Sequence, residues 1–205
     1  MNQKYFELPQ EKQDRILNAA LEVFAKNSYK KAPTSEIAEK AGISKSLLFY
    51  YFRNKKELYL FLVDYVIEFS MKLVNRSKVW EKTDLIDIFR ESLAEKCQAC
   101  KRYRYLYHFS LQAYYEDNPE LKEELSVKMS DLLGGSARYL LLKLDYSKFR
   151  KEVDVKMFLK TMIWAADGYM RQQMQIGNMD PDKWNEEFQE VFDFWKKCYY
   201  KEEYL

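Results

Sequence analysis

Residues 34–52 read TSEIAEKAGISKSLLFYYF, which contains two short helical patterns separated by a tight turn. Gly42 ends the first pattern where a left-handed residue is favoured, and Ser44 is placed two residues later to cap the next helix. The side chains that face inward at helical spacing are apolar: Ile37, Ala38, Ala41, Leu48 and Phe52. Two helices joined by so short a connection cross steeply, so the stretch predicts a helix-turn-helix unit.

A longer amphipathic helix precedes this stretch, from about Glu11 to Asn27. Its apolar residues follow helical spacing and form one stripe: Ile16, Ala19, Ala20, Val23 and Phe24. Pro33, Thr34 and Ser35 form a helix-start signal, because a hydroxyl oxygen can accept a hydrogen bond from a first-turn amide. Three helices therefore predict an N-terminal helix-turn-helix domain, which we place at residues 1–54.

The rest of the chain, residues 55–205, is helical in its periodicity and shows none of the alternation typical of strands. Asn54 and Glu57 resemble a capping box that opens a fourth helix, which runs to about residue 78 and is long enough to link two domains. Further helices are predicted at 84–100, 102–116, 119–144, 153–176 and 181–200, and Gly134-Gly135 either kinks or splits one of them. The pattern predicts an all-α protein of about nine helices, with a larger second domain.

The composition is that of a globular protein, since 47% of the 205 residues are hydrophobic and 32% are charged. The sequence contains neither an apolar run of the ~20 residues that a membrane span requires nor an N-terminal secretory signal. Its cysteines form an odd count, which is typical of free thiols in a reducing compartment. We therefore expect a cytoplasmic protein that does not engage a membrane.

Basic charge is concentrated in the first 60 residues, which carry eleven Lys or Arg and seven Asp or Glu. The third helix turns Ser46, Leu47, Tyr50 and Tyr51 away from its apolar face, and the residues around them are basic: Lys45, Arg53, Lys55 and Lys56. An exposed aromatic patch among cations favours a polyanionic partner that covers it. Double-stranded DNA is such a partner when the helix lies in its major groove. The alternative is that both tyrosines pack against the larger domain and the lysines are merely solvated.

The run TSEIAEKAGISKSLLFYYFRNKKEL, Thr34–Leu58, follows the helix ILNAALEVFAKNSYKKA, Ile16–Ala32. Together they closely resemble the DNA-binding domain of the TetR family of repressors. This resemblance implies DNA contacts by Thr34, Ser44, Lys45, Ser46, Leu47, Phe49, Tyr50, Tyr51 and Lys55. Phe49 lacks the hydroxyl of the Tyr that is often found at its position, and Ser46 stands where Gly is frequent. The individual contacts and the preferred operator therefore stay open.

The resemblance also implies that residues 55–205 bind a small-molecule effector and form a homodimer. A two-fold dimer would present two recognition helices about one DNA turn apart to a near-palindromic operator. We expect a one-component transcriptional regulator, a repressor that its effector releases from DNA. The alternative is a helical protein-interaction, nucleoid or cell-division factor for which DNA binding is secondary.

Aromatic and sulfur-containing side chains cluster in two of the later helices with a few polar groups, a mixture that suits a pocket for an apolar or aromatic effector. The candidate pocket residues are Tyr103, Tyr107, His108, Leu111, Tyr114, Met162, Trp164, Asp167, Met170 and Arg171. Ordinary core packing explains the same pattern, so both interpretations stay open. An apolar stripe near the C-terminus predicts the dimer interface: Trp184, Phe188, Val191, Phe192 and Trp195.

The sequence offers no enzymatic constellation, and we expect neither catalysis nor a cofactor. His108 is the only histidine, so one chain cannot build a metal site from histidines. Cys97 and Cys100 have a C-x-x-C spacing, yet they lie within a helical pattern rather than a βαβ unit. We therefore expect no metal site and no redox function.

Overall fold

The computed structural model describes residues 3–76, 78–178 and 180–205, with side chains described outside 73–76, 78, 80 and 129–139. These residues form nine α-helices: α1 (Gln10–Lys26), α2 (Thr34–Lys40), α3 (Lys45–Phe52), α4 (Lys55–Arg76), α5 (Leu85–Arg102), α6 (Leu106–Tyr114), α7 (Lys122–Lys143), α8 (Val155–Gln175) and α9 (Pro181–Tyr199). Short 3-10 helices occupy Gln3–Tyr5, Lys78–Glu81, Tyr146–Lys148 and Glu202–Tyr204. The all-α prediction is confirmed. The backbone of α7 is one continuous helix, so Gly134-Gly135 does not split it.

The chain divides into two compact units, and neither is a continuous stretch of sequence. The first unit contains residues 1–70 and 103–133, and the second contains 71–102 and 134–205. The first three helices therefore share a unit with the start of α4, with α6 and with the start of α7, which differs from the division predicted after residue 54. In the first unit α1 packs on both α2 and α6, because its apolar stripe is wide enough for two neighbours. None of the helices in the described part of the chain is long and apolar enough to cross a membrane.

The first unit has an aromatic centre that joins helices distant in sequence. The ring of Tyr59 lies 4.9 Å from that of Phe24 and 5.2 Å from that of Phe109, centroid to centroid, in edge-on contacts. All three side chains are fully buried. Burying an aromatic side chain of this size stabilises the fold by about 1.5–3 kcal/mol. This cluster ties α1 and α4 to α6.

Polar contacts reinforce the same packing within the first unit. Tyr65 Oη donates to Tyr103 Oη at 2.8 Å, and Tyr103 Oη donates to Asp14 at 2.9 Å. The backbone amide of Tyr29 donates to the carboxylate of Glu116 at 2.9 Å. Because these groups are partly buried, losing one partner leaves the other poorly hydrated, which is costly. The segments before and after α6 are thus bonded to α1, to α4 and to the loop before α2.

The second unit is organised by a buried carboxylate, Asp84, just before α5. Its oxygens accept hydrogen bonds from Lys148 Nζ at 2.8 Å, from Tyr200 Oη at 3.0 Å and from the backbone amide of Asp87 at 3.1 Å. Tyr200 is fully buried, and its ring lies 4.7 Å from that of Phe149. Burial alone would raise the pKa of Asp84, but these three bonds and the charge of Lys148 lower it below its usual value.

The apolar stripe of α9, predicted as the dimer interface, is mostly inside the core of its own unit. Trp184, Phe188 and Phe192 are buried, whereas Val191 and Trp195 are half-buried. Tyr169 of α8 packs edge-on against Phe188 at 4.8 Å, and the guanidinium of Arg90 in α5 lies 5.7 Å from the ring centroid of Phe192. Side chains of α5 and α8 therefore cover Phe188 and Phe192 within one chain, which leaves these residues inside the core of their own unit.

We predict that Asp84→Asn lowers the free energy of unfolding by about 2 kcal/mol at neutral pH, since it leaves Lys148 and Tyr200 without the charge they bind. The lowered pKa of Asp84 means that its stabilisation is present above the unfolded-state pKa and disappears as the pH falls through the folded-state value. Urea unfolding from neutral to acid pH, followed by circular dichroism, should therefore show a smaller loss of stability in the variant than in the wild type. Asp117→Asn, at an exposed aspartate, is the matched control, and equal acid sensitivity of all three proteins would contradict this assignment.

Candidate nucleic-acid interface

The turn between α2 and α3 has the geometry that the sequence predicted. Gly42 adopts a left-handed conformation with φ of 64°, and its amide donates to the Glu39 carbonyl at 3.0 Å. The amide of Ile43 donates to the Ala38 carbonyl at 3.0 Å, so two carbonyls at the end of α2 are satisfied. Ser44 Oγ accepts a hydrogen bond from the amide of Leu47 at 3.1 Å and caps α3. Both turn predictions are confirmed.

The start of α2 differs from the prediction in one respect. Thr34 is the first helical residue and Pro33 occupies the cap position, so this end of α2 has no side-chain cap among the described residues. Proline has no side-chain acceptor, so no cap of this kind can form at position 33. The Thr34 side chain is half-buried rather than committed to capping.

Most of the predicted DNA contacts are accessible around α3. Ser44, Lys45, Ser46 and Tyr50 are exposed, while Thr34, Leu47, Phe49 and Lys55 are half-buried. Tyr50 has 52% of its surface exposed. Short serine side chains beside this ring leave the helix backbone open to approach. The result is a cationic surface with one prominent aromatic side chain.

Tyr51 is the exception, because only 5% of its surface is exposed. Its ring lies 6.2 Å from that of Tyr5 and 5.6 Å from that of Tyr50. Tyr5 belongs to the N-terminal 3-10 helix and is itself 1% exposed, between Phe52 and Phe61 at ring distances of 5.0 Å and 5.3 Å. The predicted outward orientation is therefore wrong for Tyr51, because the N-terminal segment covers it.

The role of the N-terminal segment was missed in the sequence, although a signal is present. Tyr5, Phe6 and Leu8 form a short apolar group directly before the proline that opens α1. A helical wheel drawn for α3 alone cannot show that such a group folds back over it. The apolar group can thus be recognised in the sequence, but the helix that it covers lies far away along the chain.

The basic residues around α3 differ in how far they are already engaged. Lys55 Nζ donates to the carbonyl of Lys30 at 3.3 Å and lies 5.1 Å from the ring centroid of Tyr29. Burial lowers the pKa of Lys55 below its usual value, although the carboxylates of Glu116 and Glu120 oppose this. Lys56 forms an ion pair with Glu124 at 2.6 Å. Lys45 is exposed, with its ammonium 5.9 Å from the Phe49 ring centroid.

The predicted effector residues are divided between the two units. In the first unit Tyr103 and His108 are buried, Tyr107 and Leu111 are half-buried, and Tyr114 is exposed. Burial lowers the pKa of His108 to about 4, so its imidazole is neutral at physiological pH. In the second unit Met162 and Met170 are buried, Asp167 is half-buried, and Trp164 and Arg171 are exposed. Tyr103 is engaged by Asp14 and Tyr65, which favours a structural role for it.

An open groove of about 600 Å³ lies in the first unit, along the outer side of α1. It is lined by residues of both charges: Glu11, Asp14, Arg15, Asn18, Ala19, Glu22, Lys40, Arg104 and Tyr105. None of the predicted effector residues lines it. The predicted pocket for an apolar effector is therefore a different region from this polar groove.

Comparisons with known proteins agree with this geometry. Residues 16–61 match the family model described as bacterial regulatory proteins, tetR family. Over 188 residues the chain is 22% identical to the HTH-type transcriptional regulator TtgR of Pseudomonas putida, covering 85% of this chain and 88% of that protein.

Two solved structures show the same fold at similarly low identity. A TetR family transcriptional regulator from Chloroflexus aurantiacus is 20% identical, with a TM-score of 0.67 and 98% of each chain covered. The regulator FadR from Bacillus subtilis, solved in complex with stearoyl-CoA, is 18% identical, with a TM-score of 0.55 over 87% of this chain and 96% of that chain. At this level of identity the structural likeness concerns the fold alone.

The turn generates a paired stability prediction. Gly42→Ala should lower the free energy of unfolding by about 1–2 kcal/mol, because an alanine is strained at positive φ. Ser126→Ala, at an exposed position inside α7, should raise it by up to about 0.5 kcal/mol through higher helix propensity. Urea denaturation of both variants measures the two shifts, and the same sign for both would refute the conformational explanation.

Proposed function

Because the chain belongs to the TetR family of bacterial regulatory proteins, we propose that it is a repressor that binds a near-palindromic operator as a dimer and leaves it when an effector binds. The chain is a DNA-binding transcriptional regulator. The observation that supports operator binding is the exposed face of α3, which the Gly42 turn and the Ser44 cap hold in place. A regulator of this kind acts in the cytoplasm, where the chromosome is accessible.

In the proposed complex α3 lies in the major groove. Tyr50 reaches base edges or a phosphate with its hydroxyl, and Leu47 contacts thymine methyl groups. Ser44 and Ser46 let the backbone approach, and Lys45 neutralises a phosphate. Phe49 adds an apolar contact without a hydroxyl. Tyr51, being covered, supports Tyr50 rather than touching DNA.

The edges of the interface are formed by Thr34 and Lys55. Thr34 lies at the start of α2, where amides without intrahelical partners favour a phosphate oxygen. Lys55 would have to leave the Lys30 carbonyl to reach a phosphate, so its contribution to affinity should be smaller than that of Lys45. Lysine contacts of this kind weaken with salt and do not distinguish sequences.

We propose that dimerisation uses α8 rather than the buried part of α9. The exposed residues of α8 recur at helical spacing in one stripe: Met157, Thr161, Trp164, Ala165 and Gly168. Small residues beside an exposed tryptophan allow a second helix to approach closely. The half-buried Val191 and Trp195 of α9 remain available for the same contact. A two-fold axis here would pair one α8 with its symmetry copy.

The proposed effector is apolar or aromatic and binds within the second unit. Met162 and Met170 are buried there, and methionine packing adapts readily to an inserted ligand. Asp167 and Arg171, which form an ion pair at 3.2 Å, would orient a polar end group. FadR of Bacillus subtilis binds stearoyl-CoA, whose long chain is one example of an apolar ligand. Calorimetry with long-chain acyl-CoA and with aromatic cations tests this class, and a ligand that binds without releasing DNA would contradict effector control.

The DNA contacts are tested by selecting duplexes from a random-sequence pool with the purified protein. We predict that Tyr50→Ala weakens binding to the selected duplex by about 10- to 100-fold, because a buried base contact contributes about 1–3 kcal/mol. Fluorescence anisotropy at fixed salt measures the change. Tyr146→Ala, an exposed tyrosine of the second unit, is the matched control. The proposal is contradicted if no sequence is selected, or if wild type and Tyr50→Ala bind the selected duplex with equal affinity.

The dimer is tested with Trp164→Glu, at a side chain with 57% of its surface exposed. A charge in the centre of the proposed interface should raise the dimer dissociation constant at least about 30-fold, since central aromatic residues carry much of the energy of an interface. Sedimentation across a concentration series reports the dissociation constant. Tyr115→Glu changes an exposed aromatic residue of the first unit and should leave the dimer intact. An unchanged dimer in Trp164→Glu would place the interface elsewhere.

A further inference from the structure

The N-terminal 3-10 helix lies against α3, although the two elements are forty or more positions apart in the sequence. Tyr5 is the anchor, because its ring is buried between Phe52 and Phe61. From there a row of rings runs outward, with Tyr5 and Tyr51 at 6.2 Å and Tyr51 and Tyr50 at 5.6 Å. The buried end of this row is the N-terminal segment, and the exposed end is the most accessible aromatic side chain of α3.

The segment is also fixed to α1. Gln13 Nε2 donates to the carbonyls of Leu8 at 2.8 Å and Phe6 at 3.3 Å, and Tyr5 Oη donates to the Gln13 carbonyl at 3.4 Å. Within the segment, the amide of Leu8 donates to the Tyr5 carbonyl at 3.2 Å. The segment is therefore bonded to α1 through Tyr5, Phe6 and Leu8, while the ring of Tyr5 contacts α3.

This arrangement places a cation beside α3. Lys4 has 59% of its side chain exposed and forms an ion pair with Glu7 at 2.9 Å. The bond to Glu7, and to a smaller extent the nearby Tyr50, raises the pKa of Lys4, so the ammonium stays charged at all relevant pH values. An exposed ion pair of this kind contributes little to stability. Another anion can therefore replace Glu7 as the partner of Lys4 with little loss of folding stability.

We propose that residues 3–7 form a second part of the DNA-binding surface, in which Lys4 binds a backbone phosphate and Tyr5 is a positioning residue that holds Tyr50 through Tyr51. The inference rests on the proposed function. With α3 in the major groove, whose width of about 12 Å is close to the diameter of a helix, phosphates line both sides of the helix. A cation fixed beside α3 lies at that edge. On binding, the phosphate replaces Glu7 as the partner of Lys4.

The phosphate contact is tested by charge changes on both sides of the ion pair. Lys4→Gln should weaken binding to the selected duplex by about three- to tenfold and reduce the slope of log affinity against log salt by about 0.9 for each protomer bound. Glu7→Gln should instead strengthen binding, because it removes the competing anion. The control is Lys183→Gln, which removes the charge of a side chain that is 57% exposed and pairs with Glu187 on α9. All three substitutions lie on the surface, so folding is not at issue.

The positioning role is tested by a double-mutant cycle between Tyr5 and Tyr50. If Tyr5 acts through Tyr50, the loss of affinity caused by Tyr50→Ala should be smaller in a Tyr5→Ala background than in the wild type, whereas a purely structural role gives additive effects. Tyr5→Phe retains the buried ring and should bind like the wild type. Circular dichroism of each variant verifies the fold before affinities are compared.

The outcomes separate the inference from the proposed function. Two results would overturn the inference alone, provided that Tyr50→Ala still weakens binding. One is an unchanged salt slope in Lys4→Gln, and the other is additivity of Tyr5→Ala and Tyr50→Ala. If Tyr50→Ala also binds like the wild type, the proposed function fails and the inference falls with it. A flatter slope in Lys4→Gln, tighter binding by Glu7→Gln and non-additivity in the cycle together support it.

Discussion

The connection between α2 and α3 is the constraint on which the rest of the interface depends. A left-handed Gly42 closes α2, and three residues later α3 has begun, capped by Ser44. So short a connection fixes the crossing of the two helices and therefore which side of α3 meets the core. Leu48 and Phe52 face inward, and every exposed residue of α3 follows from that choice. The orientation of the exposed face of α3 is thus set by the backbone geometry of this turn.

Local chemistry made much of this structure predictable from sequence. Caps, left-handed glycines and apolar periodicity act within a few residues, so the bounds of α1, α4 and α9 agree with the predicted helices to within two residues. The predicted helix at 102–116 is shorter in the structure because the segment after α5 turns before α6 begins. The exposure of Ser46 and Tyr50 on α3 was likewise predictable from the apolar face of that helix, whereas the burial of Tyr51 was not.

The failures of prediction share a cause, which is contact between segments far apart in the chain. A helical wheel turns Tyr51 outward, but Tyr5 arrives from the N-terminus and covers it. The stripe of α9 is apolar enough for a dimer interface, yet α5 and α8 bury its central residues within one chain. A pattern in one helix shows that a face is buried but does not show by what. The residues predicted to bind an effector lie in both units, so a pattern within one helix cannot show which of them come together.

The discontinuous first unit has a consequence for how the protein is made. Its aromatic centre needs Phe109 as well as Phe24 and Tyr59, and residues 103–133 complete the unit. On the ribosome, which adds residues from the N-terminus, the helix-turn-helix segment emerges well before its last core partners. An apolar surface around Tyr59 therefore stays open during this interval. The nascent chain can complete the first unit only after α5, which belongs to the other unit, has been synthesised.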